Sequence, residues 1–503
     1  MPRLGHPRIE GRPTTPQTTW PGAPGDALAP IGLSRGDLTS MDAALSGTIV
    51  LPGSPSYDTD RQGNPLYPAS PRIIVKCATF NDVRLALGWA HEHGWPMTCR
   101  SGGHSTAGYS LNDGMILDVA GINGIGIDTA AGTARIGAGA QFGPINSTLD
   151  LYGLHVPGGG CPTVGVAGYM QGGGYGFTSR EFGMNCDNVV EVTVMLADGS
   201  LVVASDKENK ELFWAIRGGT GGNFGVLLEI VYRLVPLREM WGFALEWQID
   251  EGAEALAALQ RGFMGSAGDT KVGYQLAIAT QATGPAVVMM GMYHGTRSAG
   301  MQAIADLRAV GSPQLLIDRE STYADLNESL IGALPGVPEA PGQTTYELKR
   351  CGYIARMMTL ADWQTVLDFY RTTPNPWNIV GIEPYGGAIA NPPSKNAFIH
   401  RDVSMDFFID SFFSPEWDDN GADAAQGWID GFMEVMQPFF TGRVYQNYPW
   451  RGLPNYEDAY WGAAVGKLRD VKRAVDTDDF FHFEQSIPPA SGRGTKITVT
   501  PRS

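Results

Sequence analysis

Between residues 100 and 226 the chain returns three times to glycine-rich loops, and these restrict its fold more than any other feature. They are Ser101-Gly102-Gly103, the stretch from Gly165 to Gly176, and Gly218-Gly219-Thr220-Gly221-Gly222. A glycine loop beside a strand lets main-chain N–H groups approach phosphate oxygens, because no Cβ stands in the way. None of the three has the GxGxxG spacing of a dinucleotide-binding Rossmann turn. The stretch from Gly462 to Lys467 is one residue short of a P-loop and lacks its closing Ser or Thr. One loop runs into His104 and another follows Cys161, so the clustering asks for more than tight turns.

The surrounding pattern predicts an α+β chain. Residues 1–63, rich in Pro, Gly, Ser and Thr with poor periodicity, read as a loose N-terminal arm. Residues 64–236 begin strand, amphipathic helix, strand (RIIVKCA, FNDVRLALGWAHEHG, PMTCR) and contain a hairpin turning at Asp198-Gly199. Residues 237–443 carry two helical segments with the strand-like KVGYQLAIAT and AVVMMGMYHG between them, which predicts a separate sheet with helices. Residues 444–503 hold one more helix and then FFHFEQSIPP, suited to a return to the first unit.

Composition narrows the function. A chain of 503 residues with 43% apolar content can bury a large core. Its net charge of −16 disfavours nucleic acid and anionic membranes as partners. Five cysteines, an odd number without a CxxC pair, point to neither a metal site nor a disulfide framework. The first thirty residues lack a signal-peptide core and no apolar run reaches about 18 residues, so a soluble, cytoplasmic protein is expected.

The segments Arg100-Ser101-Gly102-Gly103-His104-Ser105 and Gly158-Gly159-Gly160-Cys161-Pro162-Thr163-Val164-Gly165 resemble the berberine bridge enzyme family of FAD oxidases, within the vanillyl-alcohol oxidase superfamily. The likeness continues through GGGYGFTSREFGMNCDNVVEVTVMLADGS and RGGTGGNFGV to YQNYPW, YWG, LRDVK and QSIPP, over roughly Pro68 to Pro489. It implies a PCMH-type FAD-binding domain split between 64–236 and 444–503, around a substrate-binding domain at 237–443 with an antiparallel sheet flanked by helices.

It further implies that His104 bonds the flavin 8α-methyl and Cys161 the ring C6, as in bicovalent members. Imidazole and thiolate are both nucleophiles, which suits an electron-poor ring. Arg100, Ser101, Gly102, Gly103, Ser105 and Ser110 would line the cofactor on one side. Gly160, Val164, Gly165, Gly168, Gly172, Gly173 and Gly174 would do so from the second loop, and Gly222, Asn223, Gly225, Val226 and Asn447 complete the predicted set. Val164 stands where the family uses Val to admit oxygen, which implies an oxidase.

Alcohol oxidation needs a base for the hydroxyl proton. Tyrosines serve in related oxidases, and the matching motif is Tyr445-Gln446-Asn447-Tyr448. If this is a strand, Tyr445 and Asn447 share one face and Tyr448 points the other way, so Tyr445 leads and Tyr448 is the alternative register. A free tyrosine titrates near pKa ~10 and needs a partner that stabilises phenolate; none is evident. Glu383, on one side with Tyr385, is the second candidate: a carboxylate there opposes phenolate unless it takes the phenol proton or is itself the base. His400-Arg401-Asp402-Val403-Ser404-Met405-Asp406 departs from the aromatic and Gln/Glu pattern of plant members, so plant substrates are not implied. The expected reaction converts a hydroxyl of a carbohydrate or natural-product alcohol to a carbonyl or lactone, with O2 reduced to H2O2. The alternatives are a dehydrogenase with another acceptor and an inert flavin-carrying binding protein.

Overall fold

The computed structural model describes residues 33–337, 344–418, 420–492, 495 and 497–502. Most of the predicted arm, residues 1–32, lies outside them. The rest of that arm is not loose. Ser34 and Asp37 form a reciprocal capping box that starts the helix Arg35–Ala44, and Leu38 and Met41 are buried. The strand Thr48–Val50 then pairs antiparallel with Ile73–Lys76. Pro and Gly masked this short helix and three-residue strand, whose periods are too brief to register.

Four strands form the first sheet, in the order Thr48–Val50, Ile73–Lys76, Met115–Asp118, Met97–Arg100, the last three parallel. The helix Phe80–His93 makes the crossover, capped by Thr79 and Asp82 and stopped by Gly94 at φ +60°. Arg100 and Asp118 end neighbouring strands in register and form a buried ion pair at 2.7 Å. The loop from Ser101 to His104 therefore leaves the carboxyl end of a parallel strand, where open α/β sheets bind ligands. A five-stranded antiparallel sheet follows, in the order Ile125–Asp128, Thr133–Gly137, Val226–Arg233, Val189–Met195, Leu201–Ser205.

The central part of the chain builds a seven-stranded antiparallel sheet: Gln314–Ser321, Met240–Gln248, Gly284–His294, Val272–Gln281, Ile379–Pro384, Met405–Phe413, Tyr346–Ile354. Strand alternation splits it into two faces. Leu276, Ile278, Ile382, Met405, Phe407 and Ile409 pack into one core with the helices Ile249–Phe263, Leu360–Tyr370 and Gly421–Met436. The intervening positions, Gln275, Glu383, Asp406, Phe408 and Asp410, point the opposite way. Because both faces are covered, the central strands are buried almost throughout rather than alternating with solvent. Trp241, Trp247 and Trp363 belong to this core.

After residue 443 the chain returns to the first unit. The Gln446 amide and the Trp461 indole both donate to Gly218 O, at 2.9 and 3.0 Å. Lys472, on the helix Val465–Val475, is fully buried and donates to Asn223 O, Phe481 O and Asp476. One apolar core accordingly joins residues from 33–234 and 444–487. Among the described residues, no helix is long and apolar enough to cross a membrane.

Candidate flavin and catalytic site

The first and second glycine loops lie back to back. A Cβ on Gly102 would sit 2.3 Å from Gly165 N, and one on Gly165 would sit 2.3 Å from Ser101 Oγ, so neither position tolerates a side chain without movement. Gly103 has φ +75°. Arg100, Ser101, Gly102, Gly103, His104 and Ser105 line a cavity of about 700 Å³, to whose lining Glu347 and Phe412 of the seven-stranded sheet also contribute. A second cavity of similar volume, between Lys207–Leu212 and the C-terminal tail, contains none of the predicted site residues.

His104 lines this cavity, and a third residue brings it together with Cys161, which lies outside the lining. Thr163 Oγ1 lies 2.9 Å from His104 Nε2 and 3.4 Å from Cys161 Sγ. Desolvation holds the His104 imidazolium below its ordinary range, although Glu347 opposes this, so the ring is neutral at pH 7. Cys161 is the exposed member of the five cysteines. Burial pushes the Cys99 thiol up to about 12 and raises Cys77, Cys186 and Cys351 as well, leaving them as inert thiols. His155 is buried against Thr178 Oγ1 at 2.7 Å, with its pKa lowered by burial to about 3, and takes no part here.

The remaining predicted cofactor residues fall outside the lining of that cavity. Ser110 Oγ is buried without a partner. Gly160 has Ile331 as its neighbour, and Val164 packs against the first core. Gly168 is open-sided on the helix Val166–Gln171. Gly172, Gly173 and Gly174 form a floor: a Cβ on Gly172 would collide with Asn447 Oδ1, and Gly173 and Gly174 have φ +115° and +80°. Gly222 and Gly225 take φ +76° and +132° at the third loop. Asn223 is a tie rather than a lining group, its Oδ1 accepting from Ile487 N at 2.7 Å. Val226 is buried in the five-stranded sheet.

The 445–448 segment is a turn, with Tyr448 N donating to Tyr445 O at 2.9 Å, so the strand condition does not hold. Tyr448 therefore does not point away from Tyr445: the two rings meet edge to face with centroids 4.9 Å apart. A turn follows because Tyr-Gln-Asn-Tyr-Pro ends in a residue that cannot donate to a sheet. Tyr445 Oη accepts from Gly174 N, Tyr175 N and Asn447 Nδ2 at 3.0, 3.1 and 3.0 Å. Those are the phenolate-stabilising donors that the sequence did not reveal, although burial and then Glu383 raise this phenol's pKa. Tyr448 is half-buried and donates to Glu383 Oε1 at 2.8 Å, and Gln275 Nε2 donates to the same oxygen at 3.1 Å.

Glu383 is 1% exposed, so it does not face solvent. Burial raises its pKa to about 7 against the lowering influence of the Tyr448 hydrogen bond. Asp406 pairs with it across the two strands, is fully buried, and has neither oxygen partnered; burial and then Glu383 raise its pKa well above the ordinary carboxylate range. Burial works against the Lys349 ammonium, yet Asp410 and Glu347 together raise it above its ordinary value, and it lies 4.8 Å from the Tyr448 ring centre.

Two family models match this chain, an FAD binding domain at residues 71–205 and a berberine and berberine-like segment at 444–488. The FAD-linked oxidoreductase YgaK of Bacillus subtilis is 29% identical over 454 residues, covering 88% of this chain and 97% of its own. The solved structure of Physcomitrella patens BBE-like 1 superposes with a TM-score of 0.81 at 26% identity, over 90% of this chain and 100% of that one. The chain carries the FAD binding domain and the berberine-like segment, and its full-length likeness is to berberine bridge enzyme-like proteins. A further relative, the xylooligosaccharide oxidase of Thermothelomyces thermophilus, is 28% identical over 458 residues, covering 85% of this chain and 89% of its own.

With that likeness and an FAD binding domain the chain binds FAD, and its residues fit that group. Gly102 and Gly103, which put no side chain on the cavity wall, and the exposed His104 and Cys161 leave room for that group. Thr163, Gln275, Lys349 and Asp406 were not singled out from the sequence. Thr163 was hidden inside the attachment motif, while period-2 alternation around Glu383 and along YELKRCGYI could have placed Asp406 and Lys349 on its face.

Proposed function

We propose that this protein is a bicovalent FAD oxidase that converts a carbohydrate hydroxyl to a carbonyl or lactone. The observation that carries the reading is the Tyr448–Glu383 hydrogen bond on the sheet face across from the flavin loops. The flavin, when bound, supplies the hydride acceptor at N5 and passes the electrons to O2 as H2O2. His104 and Cys161 would hold it covalently, and Val164 beside Cys161 favours oxygen as the acceptor.

Tyr448 is the group placed to meet the substrate hydroxyl, because it is half-buried while Tyr445 is enclosed and occupied by three donors. As the phenol takes the substrate proton, its own proton passes to Glu383 Oε1, whose pKa near 7 suits a base at neutral pH. Glu383 thus resolves its apparent conflict with phenolate by accepting the proton. Burial and the neighbouring Glu383 raise the Asp406 pKa, which disfavours a second charge beside Glu383. The likeness to a xylooligosaccharide oxidase supports a saccharide.

The test is peroxide release from a panel of cello-, xylo- and chito-oligosaccharides and simple alcohols, run beside anaerobic bleaching of the flavin. Saccharide-dependent peroxide supports the reading. Bleaching without peroxide, relieved by a dye acceptor, would make the protein a dehydrogenase; no bleaching by any compound would favour an inert flavin carrier.

A further inference from the structure

Thr163 touches both residues assigned to flavin attachment, and its own position is rigidly set. Tyr323 Oη donates to Gly158 O at 3.3 Å, and Asn327 Nδ2 donates to Gly159 O and Gly160 O at 3.1 and 3.2 Å. Beyond Cys161, Gly143 N donates to Pro162 O at 2.8 Å and Phe142 N to Val164 O at 3.2 Å. Helix Tyr323–Ile331 of the central unit and the start of helix Phe142–Asp150 therefore clamp the loop from both sides. Gly102 abuts this loop near Thr163 O, which fixes the His104 loop against it. The contacts of the Thr163 hydroxyl with His104 and Cys161 are a product of this scaffold.

We propose that Thr163 is a hydrogen-bond node coupling the two flavin attachments, so that the protonation of one attachment residue sets the readiness of the other. The inference rests on the reading of His104 and Cys161 as the attachment residues.

A threonine hydroxyl has one proton to give. It donates to His104 Nε2 while accepting from the Cys161 thiol, or it donates to a Cys161 thiolate while accepting from His104 Nε2–H. In the first state the thiol keeps its proton and His104 carries hydrogen on Nδ1, so neither residue is a ready nucleophile. Passage to the second moves the Sγ proton to Thr163 Oγ1 and the Thr163 proton to Nε2; the imidazolium then loses its Nδ1 proton to water. His104 is exposed, and desolvation favours the neutral ring, so this last loss is easy. The second state holds a thiolate and a free Nδ1 lone pair together. Each attachment exchanges a flavin C–H hydrogen and the residue's proton for a C–N or C–S bond, and the released electron pair reduces O2 to H2O2.

The experiment compares purified wild-type, Thr163→Val, Thr163→Ala and Thr163→Ser holoenzymes. Each is denatured and digested, flavin-bearing peptides at His104 and Cys161 are quantified by mass spectrometry, and total bound FAD is measured. The doubly linked fraction should fall at least tenfold in the Val and Ala variants and return in the Ser variant, with bound FAD unchanged in whichever truncation folds. Doubly linked flavin at the wild-type level in either truncation overturns the proposal, as does a Ser variant as deficient as the truncations. Wild-type protein without any flavin-bearing peptide would instead refute the attachment reading beneath it.

Discussion

Replacing Glu383 with Gln keeps the side-chain volume and an oxygen for the Tyr448 hydroxyl, but removes the charge that takes its proton. Burial lifts the Glu383 pKa from 4.5 to about 7. The folded state therefore binds this proton more tightly than the unfolded chain does. Its stabilising effect is full below pH 4.5, declines as pH rises toward 7, and is lost above 7. At about 1.4 kcal/mol for each tenfold in proton affinity, the ionised carboxylate costs the wild type about 3 kcal/mol at pH 8. E383Q escapes that cost, so its stability should exceed the wild type's at pH 8 and match it near pH 4. Activity should move the opposite way: kcat falls about 10²–10⁴-fold, and the tenfold decline per pH unit that the wild type shows below about pH 7 disappears. Urea unfolding at both pH values, with peroxide release on the best saccharide of the panel, measures both effects. An E383Q enzyme with wild-type kcat, or a wild-type profile flat through pH 7, would refute the role of Glu383 as proton acceptor.

Tyr445→Phe leaves Gly174 N–H, Tyr175 N–H and the Asn447 amide without an acceptor in a buried place; a loss of about 1–3 kcal/mol in urea unfolding is expected. Lys472→Met strips a buried ammonium from Asp476 and two main-chain carbonyls, and should cost about 3–5 kcal/mol, read as a lowered Tm. Val164→Leu should depress peroxide formation while dye-coupled turnover persists, measured with both acceptors on one preparation. Equal losses with both acceptors would show that Val164 only packs.

The glycine loops were legible because close backbone approach leaves a compositional trace, and Gly102 and Gly165 abut with no room for a Cβ. The parallel start of the first sheet was legible too, through the strand–helix–strand period of residues 71–100. Tyr445-Gln446-Asn447-Tyr448 left the facing of its two tyrosines open, because four residues before a proline can alternate like a strand while a 445–448 hydrogen bond folds them into a turn. Glu383 was half-legible: its side of the strand followed from period 2, but its burial depends on a unit far off in sequence covering that face. Cys161 was distinguished from the other four thiols only by context, and exposure now separates it physically. Thr163 could not be ranked from the sequence at all, since its importance lies in two contacts that only tertiary structure creates.

Covalent attachment at His104 and Cys161 is the claim on which the account most depends, and acid precipitation tests it directly. The purified protein is denatured in acid, spun, and the visible spectra of pellet and supernatant are recorded for the wild type, His104→Ala, Cys161→Ala and the double variant. The account predicts a yellow pellet and colourless supernatant for the wild type and both single variants, with release of flavin in the double variant alone. A yellow supernatant from the wild-type protein would contradict it.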